Sequence, residues 1–126
     1  MGSNENINLT AILKAQKVFE EFRKNLTTDQ NKAGAVQAFE FCYELSWKLM
    51  KRVLQSSGLD VGSPKDAFRK AALNHLIDDP EVWFDFQEKR NLTVHSYDRE
   101  NLELIISIFD SFSNEVEKLI TRVKEF

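Results

Sequence analysis

Residues 32–56 read KAGAVQAFEFCYELSWKLMKRVLQS, and this run decides the fold. At 100° per residue, Gln37, Glu40, Glu44, Lys48, Lys51 and Arg52 crowd into one polar wedge. The remaining arc carries Val36, Phe39, Cys42, Tyr43, Leu45, Trp47, Leu49, Met50 and Val53 and spans roughly 200°. A helix on the outside of a bundle needs an apolar stripe of only about 100°. The excess leaves two readings open: a helix at the centre of its own bundle, or one partly buried against another subunit. Gly58 is a natural left-handed stop for it.

On either side of this run the apolar positions also recur at helical spacing, and no alternating strand is convincing. A first helix is expected from about Leu9 to Asn25, ended by the polar cluster Thr27-Thr28-Asp29-Gln30-Asn31. Ser63-Pro64-Lys65-Asp66 gives a cap, a first-turn proline and an acid three residues after the cap, starting a third helix that reaches about Leu76. Asp79-Pro80-Glu81 repeats that start for a fourth helix through Trp83, Phe86 and Arg90. Asp98 can cap a fifth, along which Leu102, Ile105, Phe109, Phe112, Val116, Leu119 and Val123 form one stripe. The expected architecture is a single all-α domain over 1–126, an up-and-down bundle of about five helices resembling a four-helix bundle, with residues 1–8 as a flexible tail.

Composition bounds what such a bundle does. A 29% charged fraction excludes an integral membrane protein, and a 42% hydrophobic fraction excludes a disordered one. With 17 Lys+Arg against 20 Asp+Glu the net charge is −3, so nucleic acid would have to be met by a local basic patch. Lys48, Lys51, Arg52, Lys65, Arg69, Lys70, Lys89 and Arg90 are the candidates for such a rim; scattered solvated cations are the alternative. One cysteine, Cys42 on the apolar arc, rules out an internal disulfide framework, fits a reducing cytoplasm and reads as a buried inert thiol. The first residues show no basic stretch followed by an apolar run, so neither a signal peptide nor a membrane partner is expected.

Several chemistries lack their parts. Neither a G-x-G-x-x-G loop nor a P-loop occurs. The nearest approach to a paired-acid magnesium site is Asp79-Pro80-Glu81, better explained as a helix start, so the chain is not expected to be a nucleotidyltransferase catalytic subunit. His75 and His95 lie far apart with no H-E-x-x-H, so no metal and no cofactor is expected. Asp78, Asp79, Asp85 and Glu88 read as a solvated acidic face.

The stretch that can do chemistry is Lys89-Arg90-Asn91-Leu92-Thr93-Val94-His95-Ser96-Tyr97-Asp98. Arg90 offers a permanently charged planar fork suited to phosphate. His95 is the neighbouring group able to exchange a proton near neutrality. Together they make a metal-free kit for RNA cleavage: an imidazole to take the ribose 2′-hydroxyl proton and a guanidinium to stabilise the pentavalent phosphate. Asn91, one helical turn from His95, can orient either. On a straight helix, however, Arg90 and His95 point roughly 140° apart. A composite site therefore needs a helix end or bend near Thr93, the reach of arginine, or a second chain across a two-fold axis. The structural alternative stays open from spacing alone: Arg and His near a helix end often pair with acids or cap carbonyls.

The run Arg90 to Tyr97 resembles the R-x4-H-x-Y motif of the HEPN superfamily, and the chain is similar, more closely, to the nucleotidyltransferase substrate-binding protein-like group. The resemblance extends over Phe39-Glu40-Phe41, Glu44-Leu45-Ser46-Trp47-Lys48, Ser63-Pro64-Lys65, Leu76-Ile77-Asp78-Asp79 and Glu81-Val82-Trp83. Ser46 stands where alanine is expected in relatives. The resemblance implies a helical homodimer with the R-x4-H segments facing each other, and a small separately encoded nucleotidyltransferase as partner. In related HepT-type toxin–antitoxin pairs the HEPN chain is a metal-independent endoribonuclease, neutralised by transfer of AMP to the motif tyrosine. Carried over, Arg90 and His95 are the catalytic pair, Asn91 the polar helper and Tyr97 the candidate AMP acceptor, with RNA as substrate. The alternative the resemblance allows is a non-catalytic docking or substrate-binding subunit of the nucleotidyltransferase.

Overall fold

A computed structural model describes residues 7–126; the segment 1–6, most of the expected tail, lies outside the described residues. Helices α1 (Thr10–Arg23), α2 (Asp29–Ser56), α3 (Pro64–Leu73), α4 (Pro80–Leu92), α5 (Arg99–Ile106) and α6 (Phe109–Glu125) follow in order, with a 3-10 turn at Thr93–His95 between α4 and α5. No strand occurs among the described residues. Ile7 and Leu9, part of or next to the expected tail, pack against the core, and the Asn8 side chain accepts the Thr10 N–H at 2.8 Å.

The helix starts follow capping chemistry. Thr28, Ser63, Asp79 and Asp98 are extended, and each accepts a first-turn backbone N–H through its side chain. Pro64 and Pro80 occupy first-turn positions where no N–H is needed. α2 ends as expected at Gly58, with φ 89°, where Leu59 N–H bonds to the Leu54 carbonyl and Gly58 N–H to that of Gln55.

α2 is the central helix. It contacts α1, α3, α4 and α6 and buries residues from Ala35 to Leu54, which accounts for most of its wide apolar arc without a second subunit. Gly34 allows the close approach of α1, since a Cβ there would run into the Phe22 ring. Phe112 of α6 holds the core together: its ring lies 4.9 Å from Phe39, 5.1 Å from Phe86, 5.3 Å from Phe19 and 6.0 Å from Trp83, gathering α1, α2 and α4 around it.

The all-α bundle of about five helices is as expected, with a difference in the bounds of its last part. The long last helix is two, broken at Ser107-Ile108. There the Ser107 hydroxyl donates to the Leu104 carbonyl at 2.6 Å, and Ile108 N–H turns to the Ile105 carbonyl, three residues back. Such local side-chain bonding bends helices, and the stripe survives the break because Ile105, Phe109 and Phe112 all remain buried. The third helix likewise stops at Leu73 rather than near Leu76.

Candidate functional site

The motif segment sits where α4 gives out. The Thr93 hydroxyl lies 2.7 Å from the Arg90 carbonyl and 3.0 Å from Glu40 Oε2, so its one proton is shared between the helix end and α2. Ser96 N–H then bonds to the Thr93 carbonyl and Asp98 N–H to the His95 carbonyl, both three-residue turns that tighten the chain before α5. The Asn101 side chain also donates to the His95 carbonyl at 3.2 Å. α4 thus ends next to Thr93, one of the three arrangements that the Arg90–His95 spacing leaves open.

Arg90 lies against α2. Its Nη1 is 3.6 Å from Glu40 Oε2 and its Nε 3.8 Å from Glu44 Oε2, with the side chain 30% exposed. Glu40 and Glu44 are visible in the sequence only as part of a polar wedge; their i, i+4 spacing puts them on one face, and Thr93 completes the set. Two carboxylates about one guanidinium leave a local charge near −1, which opposes an incoming phosphate unless further cations join. Beneath this network runs a polar seam. Trp83 Nε1, Gln87 Oε1 and Arg90 Nε, one face of α4, and Tyr43 OH of α2 are buried without a hydrogen-bond partner among the described residues. Burial, then the Glu44 charge, pushes the Tyr43 hydroxyl well above the ordinary tyrosine range, while Arg90 acts the other way.

His95 and Tyr97 face solvent. Their rings meet edge to face with centroids 6.0 Å apart, and Tyr97 OH lies 3.5 Å from His95 Nδ1, the outer limit of a hydrogen bond. Tyr97 is 85% exposed and Val94 between the motif residues 67%, an unusually open pair of apolar side chains. Asn91 is exposed as well, but it lines a groove between α3 and α4 with Lys65, Phe84 and Glu88. The motif thus divides into an anchored Arg90, an open His95–Tyr97 pair and an Asn91 on the neighbouring groove.

The expected basic rim also divides. Lys48, Lys51 and Arg52 line a groove between α1 and α2, while Lys65 and Arg69 lie over the Phe84 ring at 5.7 and 5.2 Å. Lys70 and Lys89 pair with Asp66 and Asp85 on their own helices. Of the expected acidic face, Asp78 is joined to Lys118 and Arg122 of α6. No three His, Cys, Asp or Glu gather as a metal-ligand set among the described residues, and no helix there is long and apolar enough to cross a membrane.

Comparison with known proteins agrees with the family resemblance of the sequence. Over residues 6–125 the chain matches the family model described as nucleotidyltransferase substrate binding protein like. It is 33% identical over 121 residues to a Haemophilus influenzae protein named "Probable ribonuclease HepT", covering 92% of this chain and 83% of that protein. A solved Haemophilus influenzae structure, described as revealing the fold of a substrate binding domain of a nucleotidyltransferase, superposes with a TM-score of 0.86 at 31% identity, over 93% of this chain and 99% of that one. A Thermus thermophilus crystal structure superposes with a TM-score of 0.82 at 25% identity, over 89% of this chain and 98% of that one. A family match across nearly the whole chain, together with the helical fold and the bent motif, makes this protein a member of the nucleotidyltransferase substrate binding protein like family.

Proposed function

We propose that the chain is the HEPN subunit of a two-protein minimal nucleotidyltransferase module, acting in the cytoplasm as a toxin-like, metal-independent endoribonuclease. The observation that carries the reading is the bend at Thr93, which frees His95 to solvent while Arg90 stays fixed on α2. The His95 imidazole takes the 2′-hydroxyl proton, the 2′-oxygen attacks phosphorus, and the 5′-oxygen leaves, giving a 2′,3′-cyclic phosphate and a 5′-hydroxyl once that oxygen is protonated. Arg90 stabilises the charge that builds on the phosphate, and Asn91 is the polar helper. A homodimer supplies a second imidazole for the leaving oxygen, and its face includes the exposed Val94. The nucleotidyltransferase partner regulates the site by AMP transfer to Tyr97: its hydroxyl attacks the α-phosphorus of ATP and pyrophosphate leaves. The 85% exposure of Tyr97 and its 3.5 Å approach to His95 support it as an acceptor whose modification would block the imidazole.

A second reading, a non-catalytic docking or substrate-binding subunit, draws on the two carboxylates that flank Arg90 and weaken its appeal to phosphate. The experiment is RNA cleavage by the purified chain in EDTA. The ribonuclease reading expects His95→Ala to lose essentially all cutting, on the order of a hundredfold or more, with an unchanged melting curve. No cutting by wild type, together with a stable complex with the nucleotidyltransferase, favours the docking subunit.

A further inference from the structure

On the C-terminal half of α2, Lys48, Lys51, Arg52 and Gln55 stand at i, i+3, i+4 and i+7, one face of the helix. Lys14 reaches the same place from α1, and between the helices lies a groove of about 680 Å³ whose wall includes the Trp47 indole. Four cations line it and, among the described residues, no carboxylate does. In a chain of net charge −3 this is a local inversion of sign. Trp47 is held in place at its edge, where Nε1 donates to Glu44 Oε1 at 3.2 Å, and it carries the Lys51 ammonium 5.9 Å from its ring centroid.

The groove leads to the motif. It shares Lys14, Leu45 and Lys48 with a second, more apolar cavity of about 650 Å³, walled by Val18, Phe41 and Glu44. Phe41 is 61% exposed there, a second aromatic surface along the path. Glu44 closes the path, reaching Lys48 at 3.9 Å on one side and Arg90 at 3.8 Å on the other. From Glu44 to Gln55 the helix rises about 16 Å.

We propose that this α1–α2 groove is the track of a single RNA strand, with its phosphates on Lys14, Lys48, Lys51 and Arg52 and a base against Trp47. The proposal rests on the ribonuclease reading for the identity of the polyanion, and it answers a shortage that reading leaves: the carboxylates around Arg90 cancel the charge a phosphate needs, and the groove supplies it next door. An acidic protein segment would use the cations but would have no use for the flat aromatic walls; a strand with unpaired bases uses both. A duplex keeps its bases stacked away from such walls.

The test is fluorescence anisotropy of a labelled short oligouridine in EDTA, on the full chain carrying His95→Ala so that the probe survives. The combined variant Lys14→Gln, Lys48→Gln, Lys51→Gln and Arg52→Gln is expected to lower the salt-dependence slope by about 3, near 0.7 for each phosphate no longer neutralised. Trp47→Leu is expected to weaken binding roughly tenfold with the slope unchanged. Should the fourfold variant melt early, the single reversals Lys14→Glu and Lys48→Glu serve in its place. Unchanged affinity and slope in these variants, or no binding by the parent, overturns the track. Displacement of the probe by free AMP at equal strength overturns it in favour of a mononucleotide pocket, and by poly-glutamate in favour of an acidic protein partner. RNA cleavage at an undiminished rate by the fourfold variant, with His95 intact, also overturns it and leaves the ribonuclease reading standing. Groove-dependent binding by a chain that never cuts RNA supports the track while the ribonuclease reading falls.

Discussion

Cys42 and Ser46 occupy successive turns of the buried face of α2, both fully inaccessible. Ser46 stands where alanine is expected, and its hydroxyl is accommodated by the Cys42 carbonyl at 2.7 Å, so the polar group costs little in the core. Burial, against a smaller opposing effect of Ser46, pushes the Cys42 thiol up to about 12. At pH 8 the thiolate fraction is then about one in ten thousand, which keeps it from acting as a nucleophile. Iodoacetamide should leave Cys42 untouched in the native protein at pH 8 and alkylate it in denaturant, followed by mass spectrometry; labelling at the same rate in both would contradict a closed core. The inertness of Cys42 is legible from its place on the apolar arc. The partners of Arg90 are not. Glu40 and Glu44 lie some fifty residues away in sequence, and only the docking of α4 on α2 tells which of several acids meets the guanidinium.

Helix ends show the same contrast. α2 and α3 close with one device: the residue after the cap turns left-handed and the next N–H reaches back to a carbonyl five residues earlier. At α2 that residue is Gly58, with φ 89°, and the stop can be read from the glycine. At α3 it is His75, with φ 64°, a conformation nothing in a histidine announces, so periodicity alone runs the helix on to about Leu76 instead of Leu73. Buried Leu76 supplies the apolar contact that usually accompanies this closure and holds His75 in its strained backbone. His75→Gly should therefore stabilise the protein, by about 0.5–1 kcal/mol after the added entropy of the unfolded chain, measured by urea denaturation. A loss of stability would mean that the His75 side chain makes contacts worth more than the backbone strain. The break at Ser107-Ile108 is hidden for a related reason: the apolar stripe runs through it unbroken, and only the local hydroxyl bond reveals the turn.

Across the whole molecule, the all-α bundle follows from apolar periodicity. The wide arc of α2 leaves a central helix and one partly buried against another subunit equally open, and it is the contacts with α1, α3, α4 and α6 that make it central. The helix end near Thr93 follows only as one of three arrangements that the Arg90–His95 spacing leaves open. The tie between distant segments does not, since Asp78, read as part of a solvated face, instead joins the α3–α4 connection to α6. It lies 2.7 Å from Arg122 and 3.1 Å from Lys118. Arg122 and then Lys118 hold the Asp78 carboxyl below the usual carboxylate range, and Asp78 with Glu115 holds the Lys118 ammonium above its own. A depressed carboxyl stabilises the fold above its unfolded pKa, near 3.9, and that contribution is lost as pH falls through the lower folded value. A raised ammonium does the opposite, contributing below about 10.4 and losing it as pH rises through the higher folded value. Asp78→Asn should thus lower the melting temperature modestly at pH 7, and the gap to wild type should close as pH drops below the folded value of Asp78. Because these groups are about half exposed, added salt should shrink the same gap. A gap that persists unchanged at acid pH and high salt would show that Asp78 holds the connection by shape and neutral hydrogen bonding, leaving the α3–α4 connection uncoupled from charge on α6.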